Sequence, residues 1–364
     1  MKQPEASLAK RLARAVYSRA CGARVWANGL ASSSGDIAVH YGGAREGGAG
    51  GPRVKVRRLR EHFPEAGWRF NLVYTLSSAS HLSAADLARL RRRGTPIVHN
   101  QNGTFYPAWF GGDWRAENRR MARAFHAADH VFFQSEYCRR AAHKHLGERD
   151  GPGEILYNAV DTAQFTPNDS IQTEGQIRFL ITGRFDRHHQ YRLEVAVSGL
   201  RVARDAGLDA YLTLAGQFDS EMLVEIRQQI DRLELHEFVK ILGSFSQADA
   251  PDVYRAADIF LLTTHQDACP NAVLEAMACG LPVLYSANGG VPELVGTEAG
   301  VGLECPEDWE MPHPPTAKAM GEGMLIIAEQ RGAMGPVARA RAVERFDIQS
   351  WIQRHREVFE QLLK

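Results

Sequence analysis

The stretch His265-Gln-Asp-Ala-Cys-Pro-Asn-Ala-Val-Leu-Glu-Ala-Met-Ala-Cys-Gly280 holds the densest information in the chain. A strand-like run, 259–263, precedes it. Pro270 suits a first helical position, where a missing N–H costs nothing. Gly280 suits the position just past a helix end. The spacing therefore predicts a helix over 270–279. Asp267 lies in the loop ahead of it, next to Cys269, and Glu275 lies one to two turns inside. The free amides around Asn271 and Ala272, with the helix dipole, favour a phosphate or diphosphate. A carboxylate on either side could then hold hydroxyls. A sugar nucleotide has that layout of sugar, diphosphate and ribose. Taken alone, the same pair could be a loop carboxylate and an ordinary helix glutamate.

Outward from this stretch the pattern alternates. Strand-like runs at 177–183, 210–215, 238–242, 259–263 and 282–285 are separated by helical stretches at 190–206, 219–232, 247–256 and 270–279. Helices at 334–345 and 348–362 close the chain. The first half repeats the pattern, with runs at 36–40, 71–76, 96–100, 130–134 and 155–158 and helices near 53–63, 83–93, 115–128 and 136–146. Strands alternating with helices indicate β-α-β units and parallel sheets. The fold class is thus α/β, with two Rossmann-like parallel-sheet domains facing a central cleft. Ligands of such sheets bind beyond the carboxyl ends of the strands. Expected boundaries are 1–35 for a basic helix and linker, 36–170 for a first domain completed by the C-terminal helix 348–364, and 171–347 for a second. Polar residues with Pro167 mark a linker at 162–176.

The chain has 364 residues, 44% hydrophobic and 24% charged, which is ordinary globular composition. No apolar run reaches the roughly 18 residues a membrane-spanning helix needs. The basic start lacks an apolar signal core, so no secretory leader is expected. Formal net charge is zero, but residues 1–60 carry 12 Lys+Arg against 3 Asp+Glu. Residues 4–28 predict a helix with Leu8, Leu12, Ala15, Val16 and Ala20 near one side and Lys10, Arg11, Arg14, Arg19 and Arg24 on the rest. Such a helix can lie on an anionic bilayer or pack on its own domain. The five cysteines are odd in number and form no C-x-x-C, so neither a disulfide framework nor a zinc site is indicated. A reducing cytoplasm is expected, with the basic segment a means of peripheral attachment to the inner membrane face.

Four other stretches carry candidate chemistry. Ile177-Arg-Phe-Leu-Ile-Thr-Gly-Arg-Phe-Asp-Arg187 puts Gly183 and Arg184 at a strand's carboxyl end, where Arg184 could neutralise a leaving diphosphate. Ser286-Ala-Asn-Gly-Gly-Val-Pro-Glu293 follows a strand, and Gly289 and Gly290 allow close backbone approach. In the first half, the glycine-rich run 40–52 includes Gly42 and Gly43, candidates for approach to phosphate, without P-loop spacing. Val98-His-Asn-Gln-Asn-Gly-Thr-Phe-Tyr-Pro-Ala-Trp109 sets polar groups beside aromatic ones, a mixture suited to sugars. His99, Asn100, Asn102, Thr104, Tyr106 and Trp109 are its sugar-binding candidates, although His99 also fits a hydrogen-bonded strand histidine.

The run from Tyr254-Arg-Ala-Ala-Asp-Ile-Phe-Leu-Leu262 through Asp267 and Glu275 to Gly289-Gly-Val-Pro-Glu-Leu-Val295 resembles retaining glycosyltransferases of the GT-B fold, in the large family with a paired-acid motif. Ile155-Leu-Tyr-Asn-Ala-Val-Asp161, Gly183-Arg184 and Leu212-Thr-Leu-Ala-Gly216 agree with it. The resemblance implies that the first acid, here Asp267 and one methylene shorter than the usual glutamate, contacts the donor sugar. It implies that Glu275 contacts the ribose and that Gly183 and Arg184 bind the diphosphate. A lysine usual in that family is replaced by His189, whose charge would depend on pH. Arg187, His188 and Arg192 are its neighbours. The implied reaction moves a sugar from a nucleoside-diphosphate-sugar to a glycan or lipid-linked acceptor in bacterial polysaccharide or lipopolysaccharide assembly, with anomeric retention. Arg184, with Arg187 or His189, would meet the leaving charge. No D-x-D triplet occurs, so no metal and no cofactor are required, and no nucleic-acid partner is indicated. A sugar-nucleotide epimerase and a sugar-nucleotide-binding protein without turnover are the alternatives.

Overall fold

The computed structural model describes residues 8–28, 36–47, 51–79, 81–168 and 175–364. The predicted linker at 31–35, the stretch 48–50 of the glycine-rich run and the stretch 169–174 of the second linker lie outside them. Two compact units result. One holds the chain up to Tyr157 together with Gln349–Lys364, and the other holds Asn158–Ile348. The change of unit comes earlier than residue 170 because the chain after Tyr157 is bound into the second unit. Asn158 donates to the Cys269 carbonyl, Val160 donates its amide to Phe346 at 2.8 Å, and Phe165 is buried beside Tyr254.

The first unit opens with α1 (Leu8–Asn28), followed by β1 (Val39–His40), α2 (Gly51–His62), β2 (Leu72–Leu76) and α3 (Ala84–Arg92). It continues with β3 (Ile97–Gln101), α4 (Trp114–Ala127), β4 (His130–Phe133), α5 (Glu136–Leu146) and β5 (Gly153–Ile155). The five strands are parallel, in the order β1-β2-β3-β4-β5. Side chains alternate across the sheet, as the period of two requires. Val73, Ile97, Val131 and Phe133 point into a core with Leu87, Leu90, Met121, Phe125 and Leu146 from α3, α4 and α5. Tyr74 points the other way and meets His355 and Phe359 of the C-terminal helix. That helix is therefore an integral layer of the first unit. α3 starts where Ser83 and Asp86 cap each other's amides, which satisfies two donors a helix start leaves open.

One side of α1 is docked on this unit. Cys21 and Val25 are buried in its core, and Asn28 exchanges hydrogen bonds with the backbone of Phe70. Arg24 donates to the carbonyls of Ala66 and Gly67, and Tyr17 donates to that of Gly43. The side predicted as apolar is the one left outside: Leu12 is 61% exposed and Val16 67%. Ala9, Ala13, Ala15, Arg19, Ala20 and Ala23 are exposed with them. The side chains of Leu8, Lys10 and Arg11 lie outside the described ones.

The second unit runs β6 (Ile177–Phe185), α6 (Gln190–Asp205), β7 (Ala210–Phe218), α7 (Ser220–Arg232), β8 (Val239–Leu242), α8 (Ala250–Arg255), β9 (Ile259–Leu262), α9 (Asn271–Ala278), β10 (Val283–Ser286), α10 (Val291–Val295), β11 (Gly300–Leu303) and α11 (Ala317–Phe346). α12 (Ile348–Leu362) then returns the chain to the first unit. The six parallel strands stand in the order β11-β10-β9-β6-β7-β8. Chain order thus reverses between β6 and β9, and this is the point at which open α/β sheets form a ligand crevice. Phe179, Ile181, Leu212, Leu214, Ile259 and Leu261 face α6, α7 and α11, while Phe260 on the opposite face meets Tyr254 of α8.

Two elements differ from the sequence expectation. β11 was not expected, because its Gly300 and Gly302 mask the strand signal. Gly300 is needed for packing: a Cβ there would stand 2.1 Å from the Val283 carbonyl oxygen. The last helix of the second unit begins at Ala317, not at 334, with Thr316 accepting from the Ala319 amide as its cap. Its glycines and Pro336 lower intrinsic helicity. Tertiary packing overrides that, since Gly321 lies against Val202 and Gly199, and Gly323 against Leu284 and Leu303.

Candidate active site

The loops after β6 and β9 lie side by side at the sheet's reversal point, and both carry the predicted residues. α9 starts at Asn271, with Pro270 as its cap residue in extended conformation and no side chain accepting from its first amides. The amides of Asn271 and Ala272 thus remain the helix's open positive end. Asp267 is half-buried just ahead of it and accepts from the Cys269 amide at 3.2 Å. Burial raises its carboxyl above the ordinary range, against the opposing pull of that amide and of the nearby Arg192 charge. Glu275 is buried on α9 and accepts from the Tyr254 hydroxyl at 2.9 Å and the Gln247 amide at 3.5 Å.

The 265–270 loop is held at several points. The His265 amide donates to the Tyr191 hydroxyl at 2.9 Å. The Gln266 amide donates to Asn288 Oδ1 at 2.8 Å, and Gln266 adopts a φ of +50°. Such a conformation is uncommon outside glycine and marks a constrained backbone. The Gly290 amide donates to the Asp267 carbonyl at 2.8 Å. Asn158 donates to the Cys269 carbonyl at 2.7 Å, so the Ile155–Asp161 motif fastens this loop. Tyr191, Asn288 and Asn158 were not singled out from sequence, since their polar atoms meet backbone groups far away in the chain.

Gly289 has a φ of +67°, and a Cβ on it would stand 2.7 Å from the backbone of Gln266 and Asp267. Gly289 and Gly290 therefore serve the close approach of two loops, and the Gly290 amide is already engaged. Gly183 lies near the end of β6, paired with Gly216, where a Cβ would overlap the Gly183 carbonyl at 1.8 Å. Arg184 is exposed and makes no ion pair among the described residues. Arg187 is balanced by Glu221 at 2.7 Å and Glu225 at 3.2 Å.

His189 stands at the N-cap position of α6 without a side-chain bond to its amides, and bonds through Nδ1 to Asp186 at 2.9 Å. Burial first, then the Arg192 and His188 charges, push it down to about 4, against Asp186. The expected pH-dependent charge near neutrality is thereby corrected: the ring is neutral there. With Nδ1–H given to a carboxylate, its Nε2 is left an acceptor.

In the first unit the sugar-binding candidates divide. His99 is fully buried and bonds Thr75 at 2.8 Å and Gln101 at 3.0 Å, and burial pushes it to about 4. Its place as a sugar contact is corrected to that of a neutral strand histidine with both nitrogens engaged. Asn100 accepts from Lys55 at 2.8 Å, Tyr106 bonds Tyr137 at 3.2 Å, and Trp109 donates to the Thr104 carbonyl at 3.1 Å. Asn102 Oδ1 and Thr104 Oγ1 have no hydrogen-bond partner among the described residues. Gly42 and Gly43 form a left-handed turn buried beneath α1, where a Cβ on Gly43 would lie 2.4 Å from Cys21 Sγ. This corrects their reading as an open phosphate loop.

Residues 7–164 match the family model described as Glycosyltransferase Family 4, and residues 176–311 match Glycosyl transferases group 1. The chain is 28% identical over 122 residues to the mannosylfructose-phosphate synthase of Agrobacterium fabrum, a match covering 32% of this chain and 27% of that protein. It is 28% identical over 179 residues to the amylovoran biosynthesis glycosyltransferase AmsK of Erwinia amylovora, covering 47% and 42%. These matches span less than half of the relatives' own length. Among solved structures, Anabaena Alr3699/HepE in complex with UDP superposes with a TM-score of 0.65 at 20% identity, covering 80% of this chain and 79% of that one. With two parallel-sheet α/β units and a glycosyltransferase signature on each half, the chain belongs to the group 1 glycosyltransferases of GT-B type.

Proposed function

We propose that the chain transfers a sugar from a nucleoside-diphosphate-sugar to an acceptor hydroxyl, with retention of anomeric configuration. The observation that carries the reading is the uncapped start of α9, flanked by Asp267 and Glu275 at the reversal of the second sheet. The open amides and the helix dipole suit a diphosphate. In the reaction the bond from the anomeric carbon to the diphosphate oxygen breaks, and its electron pair leaves with the diphosphate. A new bond forms to the acceptor oxygen, whose proton passes to the departing diphosphate. Donors already pointing at the departing oxygens stabilise that charge without reorganising. Arg184 adds a cation at the end of β6, Asp267 positions the sugar hydroxyls, and Glu275 holds the ribose.

That HepE was solved with UDP and with UDP-glucose supports a uridine donor as the first to try. On the acceptor side, Asn102 and Thr104 are the first-unit candidates with polar atoms to offer. The exposed Leu12 and Val16 with Arg19 on α1 support peripheral attachment to an anionic bilayer, and with it a lipid-linked acceptor in cell-surface glycan assembly. The described residues contain no helix long and apolar enough to cross a membrane. A panel of nucleoside-diphosphate-sugars screened by thermal shift, followed by product analysis, tests the reading. A ligand that binds the folded state raises Tm. A glycosylated product supports transfer, whereas a free epimerised sugar nucleotide or no turnover refutes it.

A further inference from the structure

Arg192 occupies the first turn of α6, next to the donor loops, and is only 5% exposed. Its guanidinium lies 5.1 Å above the Phe185 ring. Its Nε and Nη2 have no hydrogen-bond partner, and it makes no ion pair among the described residues. A guanidinium carries five donors and stays charged in proteins. Leaving one buried and unpaired is expensive, and native structures retain such groups where something else completes them.

The surroundings define what would complete it. Nη1 stands 3.5 Å from the point where a Gly183 side chain would begin, so the guanidinium lies against the backbone near the end of β6 with no side chain between them. The Asp267 charge is near enough to be felt but is not within ion-pair distance. The Arg192 amide is bonded to the His189 carbonyl at 3.0 Å, and its carbonyl accepts from Thr263 of the β9 loop at 3.4 Å. The residue is thus fixed to both loops that carry the candidate site. The other cations there are differently committed: Arg187 is paired, Arg184 is exposed, and His189 is neutral and offers an acceptor.

We infer that Arg192 is the buried cation that receives the diphosphate of the donor, its free Nε–H and Nη2–H donating to phosphate oxygens. The inference rests on the donor-site reading above and names a residue that reading did not contain. Charge-assisted bonds from a planar guanidinium to phosphate are short and strong. They would strengthen as negative charge builds on the departing diphosphate.

Isothermal titration of the full chain and of R192Q and R192M with UDP, GDP, uridine and guanosine tests it. The wild type should bind one of the diphosphates. Both variants should lose at least about tenfold in that affinity, in keeping with the worth of hydrogen bonds between charged groups. The affinity for the matching nucleoside should not change, and the ligand-free Tm should not fall in R192M, because no hydrogen bond or ion pair of the Arg192 side chain is removed and the methionine still packs on Phe185. R192K, which keeps charge without the fork, should fall between. Unchanged diphosphate affinity in R192Q and R192M overturns the inference and leaves the donor-site reading standing. Equal loss for nucleoside and diphosphate, with a lowered Tm, also overturns it in favour of a packing role. Failure of the wild type to bind either diphosphate overturns both.

Discussion

Asn158 holds the Cys269 carbonyl at 2.7 Å across 111 residues of sequence, and this bond sets where α9 begins. Cys269 precedes the Pro270 cap, so a shift of its carbonyl moves the open amides of Asn271 and Ala272. Asn158→Ala leaves a buried carbonyl without this donor. The expected cost is about 1–3 kcal/mol of stability. Nucleoside-diphosphate affinity should fall as well, whereas Asn158→Asp, which keeps the shape but cannot donate when ionised, should behave like the alanine variant. Chemical denaturation alongside titration with UDP checks both; an unchanged affinity in Asn158→Ala would detach this bond from the site.

Gly289→Ala tests the close approach of the loops. The substitution places a methyl 2.7 Å from the backbone of Gln266 and Asp267 at a φ of +67°. Backbone cannot yield as a flexible side chain can, and the left-handed conformation adds its own penalty. The 265–270 loop should move, with transfer lost and a Tm several degrees lower. Gly94→Ala, also at positive φ but with open space around it, should lower Tm less and leave transfer intact. Equal behaviour of the two variants would show that strain, and not loop packing, sets the requirement.

Glu275→Gln and Arg184→Ala separate fold from function at the proposed site. The glutamine keeps the volume of Glu275 and an oxygen for the Tyr254 hydroxyl to reach. Arg184 is exposed, and surface charges contribute little to stability. Both proteins should therefore fold. Each should lose transfer by roughly 10²–10³-fold, the usual cost of removing one stabilising group from an active site. Single-turnover product formation is the measurement, and wild-type rates in both variants would remove these residues from the site.

The two α/β repeats were legible because β-strand runs and helix caps are local signals. The paired acids were legible because Pro270 and Gly280 frame their helix. Arg192 was not, since its significance lies in burial without a partner, and that is set by Phe185, Gly183 and the β9 loop together. The glycine-rich turn at Gly42 and Gly43 misled for the same reason. Gly43 makes room for Cys21 of α1, a requirement that appears only once the helix is in place. The exposed side of α1 shows the converse. Periodicity identified the apolar side, but which side would dock depended on Cys21, Val25 and the polar residues Tyr17, Arg24 and Asn28.

Acid should destabilise the chain early. His99 and His355 are fully buried, and burial pushes them down to about 4 and about 3. In the unfolded chain they take up protons near pH 6.5. Below that value the unfolded state binds more protons than the folded one, so stability is full above pH 6.5 and falls as the pH drops towards 4. Each such histidine contributes a slope of about 1.4 kcal/mol per pH unit within that window. Tm should drop between pH 7 and pH 5, and His99→Gln should flatten part of the slope. A Tm independent of pH over that range would contradict neutral burial of these two rings.

The exposed side of α1 gives the last prediction. Leu12 and Val16 stand outward while Cys21, Val25 and Asn28 anchor the opposite side. Leu12→Glu with Val16→Glu should leave the fold and Tm unchanged, because neither side chain packs on the unit. If this side enters a bilayer, each apolar residue buried contributes about 1.5–3 kcal/mol by transfer, and the glutamates both remove that gain and repel anionic lipid. Sedimentation with phosphatidylglycerol-containing vesicles should therefore fall sharply for the double variant. Vesicles of phosphatidylcholine alone should retain less of the wild type, since the basic excess of the leading segment no longer meets opposite charge. Equal sedimentation of wild type and double variant on anionic vesicles would mean that this side of α1 does not meet lipid.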